Sequence, residues 1–181
     1  MIGHLSDAGH LCDLIANFHI CLRVGPSQIH GTGVLACAPI SKGELLGRFG
    51  GILLPAGLRR DSRVLASTAI GVAEGIILAE PSDSARDLSD YLNHGCDPNS
   101  GFADALTLLA VKDIAEGEEI TIDYAYWEFD ENWTLGRQCN CGCAECRGVV
   151  SGRDWRVHAV AARCLEWASP FVRRRILAAA F

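Results

Sequence analysis

The chain is 181 residues long, 49% hydrophobic and 21% charged; that suffices for one domain with a real core plus small additions, and the balance argues against a disordered chain. A formal net charge of −6 argues against a general nucleic-acid binder, whose affinity rests on Lys and Arg facing phosphates, and suits a cationic substrate better. Met1 to Leu22 lack both a cationic start and an unbroken apolar stretch, since Asp7, Asp13, Asn17 and His19 interrupt it, and no later run approaches the ~20 apolar residues of a membrane span. The expectation is an intracellular protein, cytoplasmic or, in a eukaryote, nuclear, without membrane contact.

From Ile29 to Gly51, glycines punctuate short apolar runs: Gly31-Thr32-Gly33, Val34-Leu35-Ala36, Gly43, Leu45-Leu46, then Gly50-Gly51-Ile52-Leu53-Leu54. Such runs predict small strands and tight turns. Further strands are predicted at Gly75–Ala79, Leu106–Val111 and Glu119–Tyr124, so the body reads as mainly β. Ser84–Leu92 has the polar start and apolar spacing of a short helix. Beyond Gly148, Trp155, Val157, Val160, Ala161, Cys164, Leu165 and Ala168 follow helical spacing until Ser169-Pro170 breaks it, which predicts two C-terminal helices. Arg173-Arg174-Arg175 reads as a solvated face of the second one.

Nine cysteines, an odd count without an export signal, predict reduced thiols. Cys139, Cys141, Cys143 and Cys146 crowd into one short segment, a spacing that favours a metal ion and permits an all-local site. Cys12, Cys21, Cys37 and Cys164 sit in apolar contexts and read as small core residues.

Four blocks then occur in a telling order: Ile29-His30-Gly31-Thr32-Gly33, Asn93-His94-Gly95-Cys96-Asp97-Pro98-Asn99, Gly117-Glu118-Glu119-Ile120-Thr121-Ile122-Asp123-Tyr124, and Cys139-x-Cys141-Gly142 through Cys146-Arg147-Gly148. Together they resemble a SET-domain protein-lysine methyltransferase with a zinc-binding post-SET segment; the specificity lies in the conjunction, while an alanine-rich composition with arginine far outnumbering lysine hints at a small, bacterial type. The resemblance implies short β-sheets around a pseudoknot plus C-terminal helices, divided into an extension (1–22), a SET domain (23–127), a post-SET segment (128–150) and a helical extension (151–181). It implies S-adenosylmethionine as methyl donor and the ε-amine of a lysine in a protein or peptide as acceptor, with no direct nucleic-acid binding.

Carried over residue by residue, the resemblance makes Tyr124 the catalytic residue. It assigns the cofactor to His30, Gly31, Thr32, Gly33, Tyr91, Asn93, His94 and Trp127, with Asn99 as a neighbouring structural or cofactor-shell residue. Zinc falls to Cys96, Cys139, Cys141 and Cys146, with Cys143 an extra thiol that leaves the ligand set open. Asp90-Tyr91 departs from the family's Arg-Phe and swaps the sign of the charge, and Ile122 stands where relatives carry an aromatic ring that influences product multiplicity. Two other readings stand beside this one. The short segment between Leu53 and Glu80 admits a small-molecule amine or amino acid as acceptor, and Asp90 and Ile122 keep open a catalytically silent zinc-bearing interaction module.

Overall fold

The computed structural model describes residues 13–14, 16–19 and 21–179; Cys12 and most of the 1–22 extension lie outside them. Strands run in chain order as β1 (Asp13–Leu14), β2 (Asn17–Phe18), β3 (Leu22–Pro26), β4 (Thr32–Ala36), β5 (Leu45–Arg48), β6 (Gly51–Pro55), β7 (Ile70–Ala73), β8 (Ile76–Ala79), β9 (Asn93–His94), β10 (Ser100–Phe102), β11 (Thr107–Ala110) and β12 (Glu119–Ile122), followed by helices α1 (His158–Trp167) and α2 (Pro170–Ala179). They form three small sheets in the orders β1-β6-β8-β7, β10-β11-β5-β2 and β3-β4-β12-β9. Every ladder is antiparallel except β9 with β12, where Asn93 lies opposite Thr121 and His94 opposite Ile122. A parallel pair cannot be closed by a tight turn, so the 93–94 segment reaches β12 only by a long excursion of chain.

The core explains why strands this short persist. Val34, Leu46, Leu108, Ile120 and Ile122 are fully buried in one apolar cluster, and Trp155, Val160, Phe171, Val172 and Ile176 from the C-terminal segment belong to it. The helices are thus built into the body. Pro170 opens α2, the position where its fixed φ and missing N–H cost nothing, and it produces the break expected there. Among the described residues no helix is long and apolar enough to cross a membrane.

Several expectations change. The Ser84–Leu92 helix is only a 3₁₀ turn at Leu88–Tyr91: the Asp87 carboxylate accepts from the Ser89 N–H at 2.6 Å while Asp90 accepts from the Asp87 N–H at 3.2 Å, a capping box that starts the helical turn at Leu88. The Glu119–Tyr124 strand stops at Ile122, because Asp123 caps a second 3₁₀ turn at Tyr124–Tyr126 through the Ala125 N–H. Trp155 lies in a 3₁₀ turn ahead of α1. Arg173 and Arg175 are no solvated face: Arg173 donates to the carbonyls of Ala168 and Phe102, and Arg175 to that of Phe129. Cys164 is buried as expected, whereas Cys37 is exposed and Cys21 half-buried, both where the β3–β4 hairpin ends in a backbone bond from Cys37 to Cys21.

Helix α2 is seated through Gly71 of β7, where an added Cβ would lie 2.6 Å from the Phe171 ring and 2.8 Å from the Trp127 carbonyl oxygen. Gly71→Ala is expected to cost about 1–3 kcal/mol through overpacking. A lowered urea midpoint checks this; an unchanged one would mean that the contact between α2 and β7 gives way freely.

Candidate active site

Strand β9 delivers Asn93 to the loop before β4. Its side-chain amide nitrogen lies 3.1 Å from the His30 carbonyl oxygen, 3.0 Å from that of Thr32, 2.8 Å from Glu119 Oε1 and 3.1 Å from Ser27 Oγ. Two hydrogens shared among four acceptors fix the amide firmly. Ser27 donates to Glu119 and accepts from the N–H groups of Ile29 and His30, which curls the loop over Asn93. A Cβ at Gly33 would fall on the Glu119 carboxylate and push it off Asn93 and Ser27. His30, Gly31, Thr32, Gly33 and Asn93 therefore converge, with His30, Gly31 and Thr32 exposed. Tyr91 is half-buried on its 3₁₀ turn, which packs against β3 and β4. Asn99 accepts from the Thr121 N–H and donates to the Glu119 carbonyl, which ties the loop after Cys96 to β12.

His94 is fully buried. Its Nδ1 accepts from the Tyr124 N–H at 3.2 Å, which leaves the proton on Nε2, 3.2 Å from Cys96 Sγ. Burial, against the pull of Asp123, lowers its pKa to about 4, so the ring is neutral at pH 7. The Arg147 guanidinium 3.4 Å from Nε2 is then a contact between two donors rather than a bond. The 3.8 Å approach of Asp123 to Nδ1 is likewise no ion pair.

Tyr124 stands on the far side of His94, ring centroids 5.2 Å apart, stacked on Trp127 at 5.2 Å and edge-on to Trp133. Its hydroxyl donates to the Leu92 carbonyl oxygen at 2.8 Å, and burial raises its pKa to about 12. The phenol stays protonated at neutral pH. Beside it lies a cavity of about 100 Å³ lined by Phe49, Leu92, Tyr124, Trp127 and Trp133, with Arg59, Glu80, Asp90 and Glu128 as its charged groups. It is smaller than the ~150 Å³ hole that admits a benzene and suits a slender chain. Trp127 lies on this side, packed on Phe49 and Phe102, while Ile122 is wholly buried and does not line the cavity.

Below His94, the sulfur atoms of Cys96, Cys139, Cys141 and Cys146 all lie within 4.8 Å of one another, with Cys96 and Cys139 3.9 Å apart. Tetrahedral thiolate coordination at about 2.3 Å per bond sets sulfur–sulfur separations of about 3.8 Å, so the donor set fits such an ion. Cys143 lies outside this group, 3.5 Å from Cys141. Arg147 follows the last of these cysteines and pairs bidentately with Asp123 at 2.6 and 2.8 Å, with Asp154 2.9 Å from Nε. Its backbone N–H points to Cys96 Sγ at 3.4 Å, and Arg163 of α1 holds the Cys96 carbonyl at 3.1 Å.

The SET domain profile matches residues 31–125 of the chain. The chain belongs to the SET-domain family. It is similar to histone-lysine N-methyltransferase ATX2 of Arabidopsis thaliana, 27% identical over 164 residues that cover 81% of this chain and 15% of that protein. Over 75 residues it is 37% identical to histone-lysine N-methyltransferase ash1 of Drosophila melanogaster, covering 37% of this chain and 3% of that one. This SET chain thus spans a small part of the length of the curated relatives it matches. Its fold resembles the methyltransferase domain of human histone-lysine N-methyltransferase SETMAR, with a TM-score of 0.58 at 22% identity, over 74% of this chain and 58% of that one.

Reading the sequence missed Asp123, Arg147, Glu119 and Ser27 as parts of the SET site. Asp123 and Arg147 sit inside quoted blocks, yet no linear spacing joins positions 123 and 147. Asp123 is fully buried, and Arg147→Met would strand its charge at an expected cost of about 3–5 kcal/mol. Urea unfolding checks this, with Asp123→Asn in the same chain recovering part of the loss.

Proposed function

We propose that the protein transfers a methyl group from S-adenosylmethionine to the ε-amine of a lysine in a protein substrate. What carries the reading is the Tyr124 hydroxyl, anchored on the Leu92 carbonyl at the wall of a narrow cavity, on a residue whose backbone N–H is bonded to His94 of the strand that bears Asn93. The names of the relatives, histone-lysine N-methyltransferases, support it. The boundaries that go with it are a SET domain at 23–127 and a post-SET segment at 128–150.

In this reading the exposed backbone at His30, Gly31 and Thr32, with Asn93, Tyr91 and the main chain at His94, holds the donor, while the cavity admits the acceptor from the Tyr124 side. S-adenosylmethionine supplies an electrophilic methyl on a sulfonium. The chain contributes alignment, which is most of what an in-line displacement needs. With its proton given to Leu92, the Tyr124 oxygen keeps lone pairs to accept the amine N–H and orient the nitrogen. It is not the base: its pKa of about 12 keeps it a phenol, and the lysine, ordinarily at about 10.4, loses its proton to solvent, a loss that burial beside the cationic sulfonium favours. Cys96, Cys139, Cys141 and Cys146 would hold a zinc ion, fixing the 139–147 segment against His94 and Asp123.

Two outcomes follow. Tyr124→Phe should lower kcat by ~100-fold or more on a lysine peptide that the unaltered protein methylates, as expected for loss of one oriented hydroxyl, with S-adenosylmethionine affinity by calorimetry nearly unchanged; full retained rate overturns the role. Cys96→Ser should lose bound zinc by elemental analysis and Cys143→Ser should keep one equivalent, whereas loss in Cys143→Ser would assign the ligands differently.

A further inference from the structure

We propose that Glu80 and Asp90 recognise a second positive charge on the substrate, an Arg or Lys side chain within two residues of the acceptor lysine; this rests on the methyl-transfer reading above. Both carboxylates line the cavity beside Tyr124. Glu80 is only 9% exposed, and its carboxylate has Ser84 Oγ at 3.4 Å as a weak partner. Asp90 commits one oxygen to the Asp87 N–H, and its other oxygen is buried with no hydrogen-bond partner. Neither forms an ion pair among the described residues.

The cation of the lining, Arg59, is already taken. It lies 3.7 Å from Glu128, donates to the Ala66 carbonyl and rests over the Phe129 ring. Glu128 in turn accepts from the N–H groups of Phe129 and Asp130. Setting these two against each other leaves Glu80 and Asp90 as an excess of negative charge, with Asp87 behind them and Arg86 exposed on the preceding turn. Burial, then the charge of Asp87, raises the pKa of both acids, the mark of carboxylates short of a counterion.

The acceptor ammonium is a poor candidate for that counterion. A carboxylate paired with it would hold it protonated, and the protonated amine has no lone pair with which to attack. A neighbouring cation neutralises the wall and leaves the acceptor free to lose its proton. In an extended peptide, residues two apart face the same side at about 7 Å, within reach of a lining this small for a long basic side chain.

The test uses the full chain and fluorescein-labelled nonapeptides with one central lysine, flanked either by alanines or by a single arginine at one of the four nearest positions. Anisotropy and labelled methyl transfer are read together. At least one arginine peptide should bind about tenfold more tightly than the alanine peptide at low salt, and Glu80→Gln with Asp90→Asn should abolish the difference by raising KM with kcat within about twofold. Unchanged S-adenosylmethionine affinity by calorimetry shows that the double variant is folded and that the pair does not serve the sulfonium. Equal binding of all peptides by the unaltered protein, or a double variant that loses S-adenosylmethionine affinity instead, overturns the proposal. Charge-selective binding without transfer upholds the cation subsite and sinks the methyl-transfer reading on its own.

Discussion

The buried pair between Asp123 and Arg147 joins two parts of the chain on which everything near Tyr124 depends. One end of the pair caps the turn that begins at Tyr124; the other is the residue directly after Cys146. Burying a full carboxylate is costly unless a guanidinium meets it in good geometry, and here two short bonds to Asp123 supply that geometry, with the Asp154 carboxylate close by as a second negative charge. The pair therefore acts less as a source of stability than as a registration device. It admits one placement of the cysteine segment relative to the tyrosine and makes others expensive.

Around that device the molecule is braced from outside. Helix α1 reaches in with Arg163 to the Cys96 carbonyl, and α2 with Phe171 to Gly71 and with Arg173 to the carbonyl of Phe102. The Ser169 N–H meets the Tyr126 carbonyl, and the Gly71 N–H that of Trp127. The segment from Tyr124 to Glu128 is thus clamped between a sheet edge and a helical pair. Supports of this kind leave the Tyr124 ring and hydroxyl little room to drift.

Much of this was legible from the sequence, because its signals are local. Glycine-bounded apolar runs became β4, β6 and β8, and the apolar run at Leu106–Val111 became β11; Ser169-Pro170 divided the two helices; and the four blocks named the family. Less legible were features set by contacts across the chain. The Ser84–Leu92 helix shrank to one turn because Asp87 caps it from within, and Arg173 and Arg175 turned inward because carbonyls of distant segments wait there. The acidity of the cavity is of the same sort: Glu80, Asp90 and Glu128 are separated in sequence, and only the folded chain makes neighbours of them. The departure at Asp90 was visible as an oddity of charge, without its companions.

The parallel pairing of β9 with β12 has a consequence for how the protein is made. During synthesis Asn93, His94 and Cys96 emerge early and must wait for β12, and then for the cysteine segment, before they acquire neighbours. Contacts of such sequence separation form late, after loop closure has been overcome. The antiparallel hairpins upstream must hold an incomplete barrier against solvent and stray partners in the meantime. Until then the thiols of Cys96, Cys139, Cys141 and Cys146, which the finished fold gathers within 4.8 Å of one another, stand apart, and that interval is the most vulnerable in the life of the chain.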